Sequence, residues 1–83
     1  MKDPQVAEGH AQKVVFGLWQ ELLGKNADPS VDFIRNGGDS FRAAVLATRV
    51  LEETGRTVSY LDILSADNAD ALVRRITDTN HVG

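Results

Sequence analysis

Apolar residues recur at the spacing of an α-helix in this chain of 83 residues, and no segment shows the sustained alternation of a β-strand. The first apolar stripe consists of Ala7, Ala11, Val14, Val15, Leu18, Trp19 and Leu22. Asp3 followed by Pro4 is a helix-start signal, and Gly24 is a stop signal. We therefore predict a first helix between these signals, with Trp19 in the core.

The apolar residues of a second predicted helix fall on two sides rather than one. This helix begins at Asp39 or Ser40. It runs to about Thr54, where Gly55 supplies a stop. The longer stripe is the better candidate for the core and comprises Ala43, Leu46, Ala47 and Val50. The opposite side, which we expect to face outward, carries Phe41, Val45 and Thr48.

Two shorter helices complete the predicted fold. Ser59 caps a short third helix, and Asp62 three residues later indicates an imperfect capping box. Asp67 or Asn68 caps a final helix, whose apolar residues at helical spacing are Ala69, Leu72, Val73 and Ile76. The predicted fold is an all-α, small four-helix bundle with a long first loop and a short third helix.

Length and composition exclude several classes of protein. One domain is the only sensible count, and we expect it to span residues 1–83, with an ordered core over about 4–77 and a flexible tail over 78–83. Without cysteine there is no disulfide framework and no thiolate metal site. The formal net charge is −3, so the chain lacks the excess of basic residues that is typical of a nucleic-acid-binding protein.

The distribution of apolar residues indicates in which cellular compartment to expect the protein. No apolar run approaches the roughly 20 residues that span a bilayer. The first residues lack the apolar core of a signal peptide. We therefore expect a soluble, cytoplasmic protein without a membrane partner. We also expect a monomer, and its charge gives no reason to expect a nucleic-acid partner.

A long polar loop separates the first two helices and ends in Gly37, Gly38, Asp39 and Ser40. Loops of this length are uncommon unless they carry function. Phe33 is expected to pin the loop to the core, and the two glycines let the chain turn sharply into the helix. Local chemistry leaves two interpretations of Ser40. It is either an ordinary first-turn residue or a hydroxyl presented where the helix dipole and free N–H groups favour an attached phosphate.

Catalysis by Ser40 itself is not supported. The G-x-S-x-G nucleophile elbow is not matched, and a hydroxyl nucleophile needs a positioned base. The two histidines, His10 and His81, are expected on the surface of the first helix and in the tail. An EF-hand-like calcium loop is not supported either, because Phe33 occupies the position that requires Gly. We therefore interpret Ser40 as a substrate, and we predict no catalytic residue and no metal site.

The stretch from Phe33 to Phe41, FIRNGGDSF, resembles a known signature. It is similar to the phosphopantetheine attachment site of thiolation domains, the peptidyl carrier proteins of nonribosomal peptide synthetases. The resemblance covers nearly the whole chain, from Leu18 to Ile76. It implies a bundle of acyl-carrier-protein type that acts as a carrier and not as an enzyme.

The resemblance also implies a cofactor and a set of partners. In this family a phosphopantetheinyl transferase, using coenzyme A and magnesium, joins a 4′-phosphopantetheine arm to the serine that matches Ser40, with Gly38 and Asp39 as the flanking motif. The thiol of the arm holds an aminoacyl or acyl group as a thioester. An adenylating enzyme loads this cargo, and condensing or tailoring enzymes receive it. The implied docking surface for these partners comprises Phe41, Val45 and Thr48.

Four residues depart from the family pattern. The family usually has Leu at the position of Asn36, Leu or Ile at that of Phe41, Phe at that of Leu64 and Thr at that of Asn68. Two alternatives to a peptidyl carrier are kept: an acyl carrier for polyketide or fatty-acid chemistry, and an unmodified helical interaction module. The doubled glycine and Trp19 favour the peptidyl type. A free-standing carrier and an excised domain both fit the chain.

Overall fold

Four helices form the computed structural model, which describes residues 4–78 and the side chains of residues 9–77. In chain order they are α1 (Pro4–Leu23), α2 (Ser40–Thr54), α3 (Tyr60–Ser65) and α4 (Ala69–Asp78). No strand occurs in this part of the chain. The predicted all-α bundle with a long first loop and a short third helix is confirmed. The predicted cap at Asp3, the histidine at position 81 and residues 79–83 lie outside the described residues.

The helices pack their apolar sides around one core. α1 contacts both α2 and α4, and α3 lies against α2 and α4. No helix within residues 4–78 combines the length and the apolar character needed to cross a bilayer. No polar or charged side chain among the described ones is buried, so apolar packing holds the bundle together. The core comprises Ala11, Val15, Leu18, Trp19, Phe33, Ala43, Leu46, Val50, Val58, Ile63, Ala66, Ala69, Leu72, Val73 and Ile76.

Glycines end the two long helices as predicted. Gly24 has a φ of 105°, and its N–H donates to the carbonyl of Gln20 at 2.8 Å. Gly55 has a φ of 73°, and its N–H donates to the carbonyl of Leu51 at 2.9 Å. Both conformations favour glycine because the left-handed region penalises a Cβ.

Side-chain caps begin the two short helices. The Asp62 N–H donates to Ser59 Oγ at 3.1 Å, and the Ser59 N–H donates to Asp62 Oδ2 at 3.2 Å. The predicted capping box is therefore present, with Asp62 where Glu or Gln is usual, because the short aspartate side chain still reaches the backbone. Asn68 rather than Asp67 caps α4, since its Oδ1 accepts from the N–H of Ala71 at 2.7 Å.

α2 buries the predicted stripe and exposes the opposite one. The buried side comprises Ala43, Leu46 and Val50, with Ala47 partly buried beside them. On the other side Phe41 is 74% exposed, Val45 is half-buried and Thr48 is exposed. The predicted outward face of this helix is therefore confirmed.

We expect Gly17→Ala to raise the free energy of unfolding by about 1 kcal/mol, because glycine in a helix interior carries that cost relative to alanine. Gly17 is exposed within α1, and a Cβ at this position would meet nothing within 4 Å. Thermal unfolding should show a rise of about 4–8 °C in Tm. Gly55→Ala is the control and should lower Tm, because its φ of 73° strains an alanine. An unchanged Tm for Gly17→Ala would contradict the expectation.

Candidate functional site

One aromatic side chain fixes the loop over residues 24–39 to the core. Phe33 is fully buried, and its ring meets the indole of Trp19 edge-on, with 5.3 Å between the ring centroids and 69° between the ring planes. Edge-to-face pairs of this kind contribute about 0.5–1.5 kcal/mol beyond the area that they bury. The predictions that Phe33 pins the loop and that Trp19 lies in the core are confirmed.

The two glycines that precede Asp39 have different physical roles. Gly37 has a φ of 93°, which allows the predicted sharp turn, and its N–H donates to the carbonyl of Ile34 at 2.9 Å. Gly38 instead lies against Phe33, whose carbonyl accepts its N–H at 2.9 Å. A Cβ built at Gly38 would overlap the Phe33 ring. Gly38 therefore permits a close approach, a role that no local sequence pattern indicates.

Asp39 and Ser40 form the start of α2. Asp39 is extended, with φ −139° and ψ −179°, and its Oδ1 accepts from the backbone N–H of Arg42 at 2.9 Å. Its Oδ2 pairs with the Arg42 guanidinium at 3.1 Å. Ser40 is the first helical residue and is exposed, and its hydroxyl has no hydrogen-bond partner in the part of the chain that the structure describes. Capping by Asp39 thus leaves the hydroxyl of Ser40 free.

No free catalytic base lies beside this hydroxyl within the described residues. His10 Nε2 is hydrogen-bonded to the carbonyl oxygen of Glu53 at 2.9 Å, near the opposite end of α2. α2 has 15 residues, so its two ends are about 20 Å apart. The neighbouring carboxylate of Asp39 is engaged as the cap and by Arg42. This placement supports the interpretation of Ser40 as a substrate.

The acidic residues of the loop shape its backbone. Asp28 Oδ1 accepts from the N–H and the hydroxyl of Ser30 at 2.9 and 2.7 Å, and the hydroxyl, followed by the N–H, lowers the pKa of Asp28 below its usual value. Asp32 Oδ1 accepts from the N–H of Arg35 at 2.8 Å. Over the described residues, no three His, Cys, Asp or Glu side chains are grouped to hold a metal ion.

Arg49 links α1 to α2. Its guanidinium donates to Glu21 at 3.1 Å, and it pairs with Glu52 at 3.9 Å and Glu53 at 3.7 Å. The hydrogen bond to Glu21 and the charge of Glu21 raise the pKa of Arg49, and the charges of Glu53 and Glu52 add to the effect. Arginine is charged at physiological pH without this effect, and exposed ion pairs contribute little to stability.

An apolar groove lies along the exposed side of α2, immediately after Ser40. It has a volume of about 250 Å³ and is lined by Phe41, Ala44, Val45, Thr48, Arg49 and Glu52. The three residues predicted to bind partners thus line one groove. Other large apolar side chains are exposed that the sequence did not single out, namely Ile34, Leu51, Tyr60 and Leu61. The two that lie in α3 were missed because this helix has only six residues. That is too few for helical spacing to distinguish a buried side from an exposed one.

Ser40 thus offers an exposed hydroxyl without a hydrogen-bond partner in the described chain, at the first position of a helix and behind two glycines, so it can accept a covalently attached group. A family model described as "Phosphopantetheine attachment site" matches residues 13–76, and the chain therefore belongs to the phosphopantetheine attachment-site family.

Two curated relatives are named nonribosomal peptide synthetases. Nonribosomal peptide synthetase criC of Aspergillus cristatus is 34% identical over 73 residues, which cover 81% of this chain and 3% of that protein. Nonribosomal peptide synthetase echPS of Aspergillus ruber (strain CBS 135680) is 37% identical over 68 residues, which cover 77% of this chain and 3% of that protein. The chain thus spans about 3% of the length of the curated relatives it matches. No solved structure matches it.

The family membership confirms several predictions. The bundle is of acyl-carrier-protein type, the domain is a carrier and not an enzyme, and its cofactor is covalently attached 4′-phosphopantetheine. The resemblance to thiolation domains is confirmed by the family and by the two relatives together. The start of α2 fits this cofactor, because Ser40 offers an exposed hydroxyl and Gly37 and Gly38 before it carry no side chains.

Proposed function

We propose that Ser40 is the residue that accepts 4′-phosphopantetheine, and that the arm carries an aminoacyl or acyl group in nonribosomal peptide or related biosynthesis. The exposed, unbonded hydroxyl at the first position of α2 carries this proposal. Gly38 and Asp39 support this proposal, since Gly38 lets the loop pack against Phe33 and Asp39 caps the helix. The peptidyl type is favoured because both relatives are named nonribosomal peptide synthetases.

The attachment requires the oxygen of Ser40 to form a bond to the β-phosphorus of coenzyme A. The hydroxyl proton is lost, and the bond between the β-phosphorus and the oxygen that bridges the two phosphates breaks. Adenosine 3′,5′-bisphosphate leaves with that oxygen. Since no free base lies beside Ser40 in the described chain, a phosphopantetheinyl transferase provides it. The first turn of α2 has backbone N–H groups and the positive end of the helix dipole to stabilise the negative charge of the phosphodiester. The bound arm supplies a thiol, which a chain without cysteine lacks.

The groove on α2 is the proposed docking surface for the partners. These partners are the transferase, an adenylating enzyme that loads the cargo, and condensing or tailoring enzymes that receive it. The groove begins at Phe41, so a protein seated in it lies next to Ser40. Phe41 is 74% exposed, and aromatic side chains are enriched among the residues that dominate interface energies.

Intact-mass measurement tests the attachment site. We expect the chain, incubated with coenzyme A, magnesium and a broad-specificity phosphopantetheinyl transferase, to gain the mass of one phosphopantetheinyl group. Ser40→Ala should gain none and keep its Tm, because substitution of an exposed first-turn residue costs little stability. Ser65→Ala is the matched control, since Ser65 is also exposed but its hydroxyl donates to the carbonyl of Asp62, and this variant should be modified normally.

Two results would contradict this assignment. If Ser40→Ala still gained the arm, another residue would be the acceptor. If the folded wild-type chain gained nothing from a transferase proven on another carrier, an unmodified interaction module would be the better account, and Ser40 would be dispensable for binding.

Phe41→Ala and Val45→Asp are expected to slow transfer to and from partner enzymes about tenfold, because each removes apolar contact from the docking groove. The rate of aminoacyl loading by an adenylating enzyme measures the effect, with circular dichroism to show that the fold is retained. Gln12→Ala, an exposed substitution on α1, should load at the wild-type rate. Unchanged rates for both groove variants across several partners would exclude this surface.

A further inference from the structure

We propose that Asn36 is a positioning residue that holds Ser40 ready for modification, an inference that rests on the proposed function. Asn36 immediately precedes Gly37 and lies in the loop that leads into α2. Its side chain is partly buried within this loop.

The amide of Asn36 lies within hydrogen-bond distance of four backbone groups of its own loop. Its Oδ1 accepts from the Asp28 N–H, and its Nδ2 donates to the Asp28 carbonyl, each at 2.9 Å. Nδ2 also donates to the carbonyls of Val31 and Asp32, each at 3.0 Å. Nδ2 has two N–H protons and shares them among the three carbonyls, so one amide contacts both backbone groups of Asp28 and two carbonyls in the turn that follows.

These hydrogen bonds connect the segment before Ser40 to the body of the domain. The loop has no helix or strand over residues 24–39, so regular backbone hydrogen bonds do not hold it. The carbonyl of Pro29, next to Asp28, accepts from the N–H of Ala69 at the start of α4 at 2.9 Å. Asn36 therefore connects the residues just before Ser40 to the part of the loop that is hydrogen-bonded to α4. Phe33 attaches the loop to the core at a second point.

Loss of this connection has a distinctive kinetic consequence. A loosened loop presents Ser40 in the reactive arrangement for only a fraction of the time. The apparent affinity of the transferase for the carrier falls by that fraction, whereas the chemical step of the ordered complex is unchanged. KM for the carrier therefore rises while kcat is retained. A general loss of stability gives a different result, because a domain a few kcal/mol stable remains almost entirely folded.

Asn36→Asp is the test variant, because it keeps the size and the Oδ1 acceptor but places a carboxylate oxygen against the carbonyls that Nδ2 contacts. With coenzyme A and a phosphopantetheinyl transferase, we expect KM for the carrier to rise about three- to tenfold, with kcat little changed. Amide hydrogen exchange measured by NMR should be faster at Gly37 and Gly38. Asn36→Ala, which removes the whole amide group, should behave in the same way. Ile76→Val, a core truncation in α4, is the control for general destabilisation and should leave KM unchanged.

The outcomes separate this role from the proposed function. A raised KM with faster exchange at the two glycines, in both Asn36 variants but not in Ile76→Val, supports the positioning role. An unchanged KM in the Asn36 variants, or an equal rise in Ile76→Val, overturns it alone. Absence of modification in the wild-type chain overturns the proposed function and the positioning role with it.

Discussion

Gly38→Ala is expected to lower the free energy of unfolding by about 1–3 kcal/mol, the usual cost of overpacking a core. The added Cβ would overlap the Phe33 ring and lie 2.8 Å from the Phe33 carbonyl oxygen. The ring is fully buried against Trp19, so it cannot yield without opening the core. A domain of this length is stabilised by only about 4–12 kcal/mol in total, so the loss is a large share. Urea unfolding measures it.

Two comparisons show whether the contact with Phe33 causes this loss. Gly17→Ala makes the same chemical change where a Cβ meets nothing within 4 Å, and it should stabilise the fold instead. Combining Gly38→Ala with Phe33→Leu should cost less than the sum of the single changes, because the smaller side chain relieves the overlap. Additive losses, or a Gly38→Ala variant as stable as the wild type, would show that Gly38 does not pack against this ring.

Phe33→Ala is expected to have the largest effect on stability, about 3–5 kcal/mol, because it deletes a buried aromatic side chain and leaves a cavity. The ring is fully buried, and it is the edge-to-face partner of Trp19. Its loss also removes the contact through which the loop before Ser40 packs into the core. Because Trp19 is the one tryptophan of the chain, its fluorescence during urea unfolding reports directly on this part of the core.

Ile34→Ala is the matched control for Phe33→Ala, since it truncates the next residue of the same loop. Ile34 is 56% exposed, so its truncation should change the free energy of unfolding by no more than about 0.5 kcal/mol. Similar losses in the two variants would mean that the loop is not anchored through Phe33.

Much of the fold followed from the sequence because the deciding interactions are local. Asp39 caps α2 through the N–H of Arg42, and Gly55 ends it through the carbonyl of Leu51, each within four residues along the chain. The buried side of α2 followed from helical spacing alone. Ser40 was singled out in another way, because the short run from Phe33 to Phe41 resembles a known attachment signature.

Other features of the site depend on residues that the folded chain brings together. The six-residue α3 exposes Leu61 and buries Ile63, and this choice depends on how α3 lies against α2 and α4. The close approach of Gly38 to Phe33 depends on the path of an irregular loop, for which no periodic pattern exists. The same path decides that the Asn36 amide meets Asp28, eight residues away.

The sequence by itself therefore determined the four helices, most of their ends and the core side of α2. Each of these depends on helical periodicity or on hydrogen bonds between near neighbours. Only the tertiary structure decided that Gly38 must lack a side chain, that Asn36 ties the loop together, and that α3 exposes Leu61 and buries Ile63. The physical reason is that packing and loop closure depend on the positions of atoms distant in sequence, and those positions exist only once the core has formed.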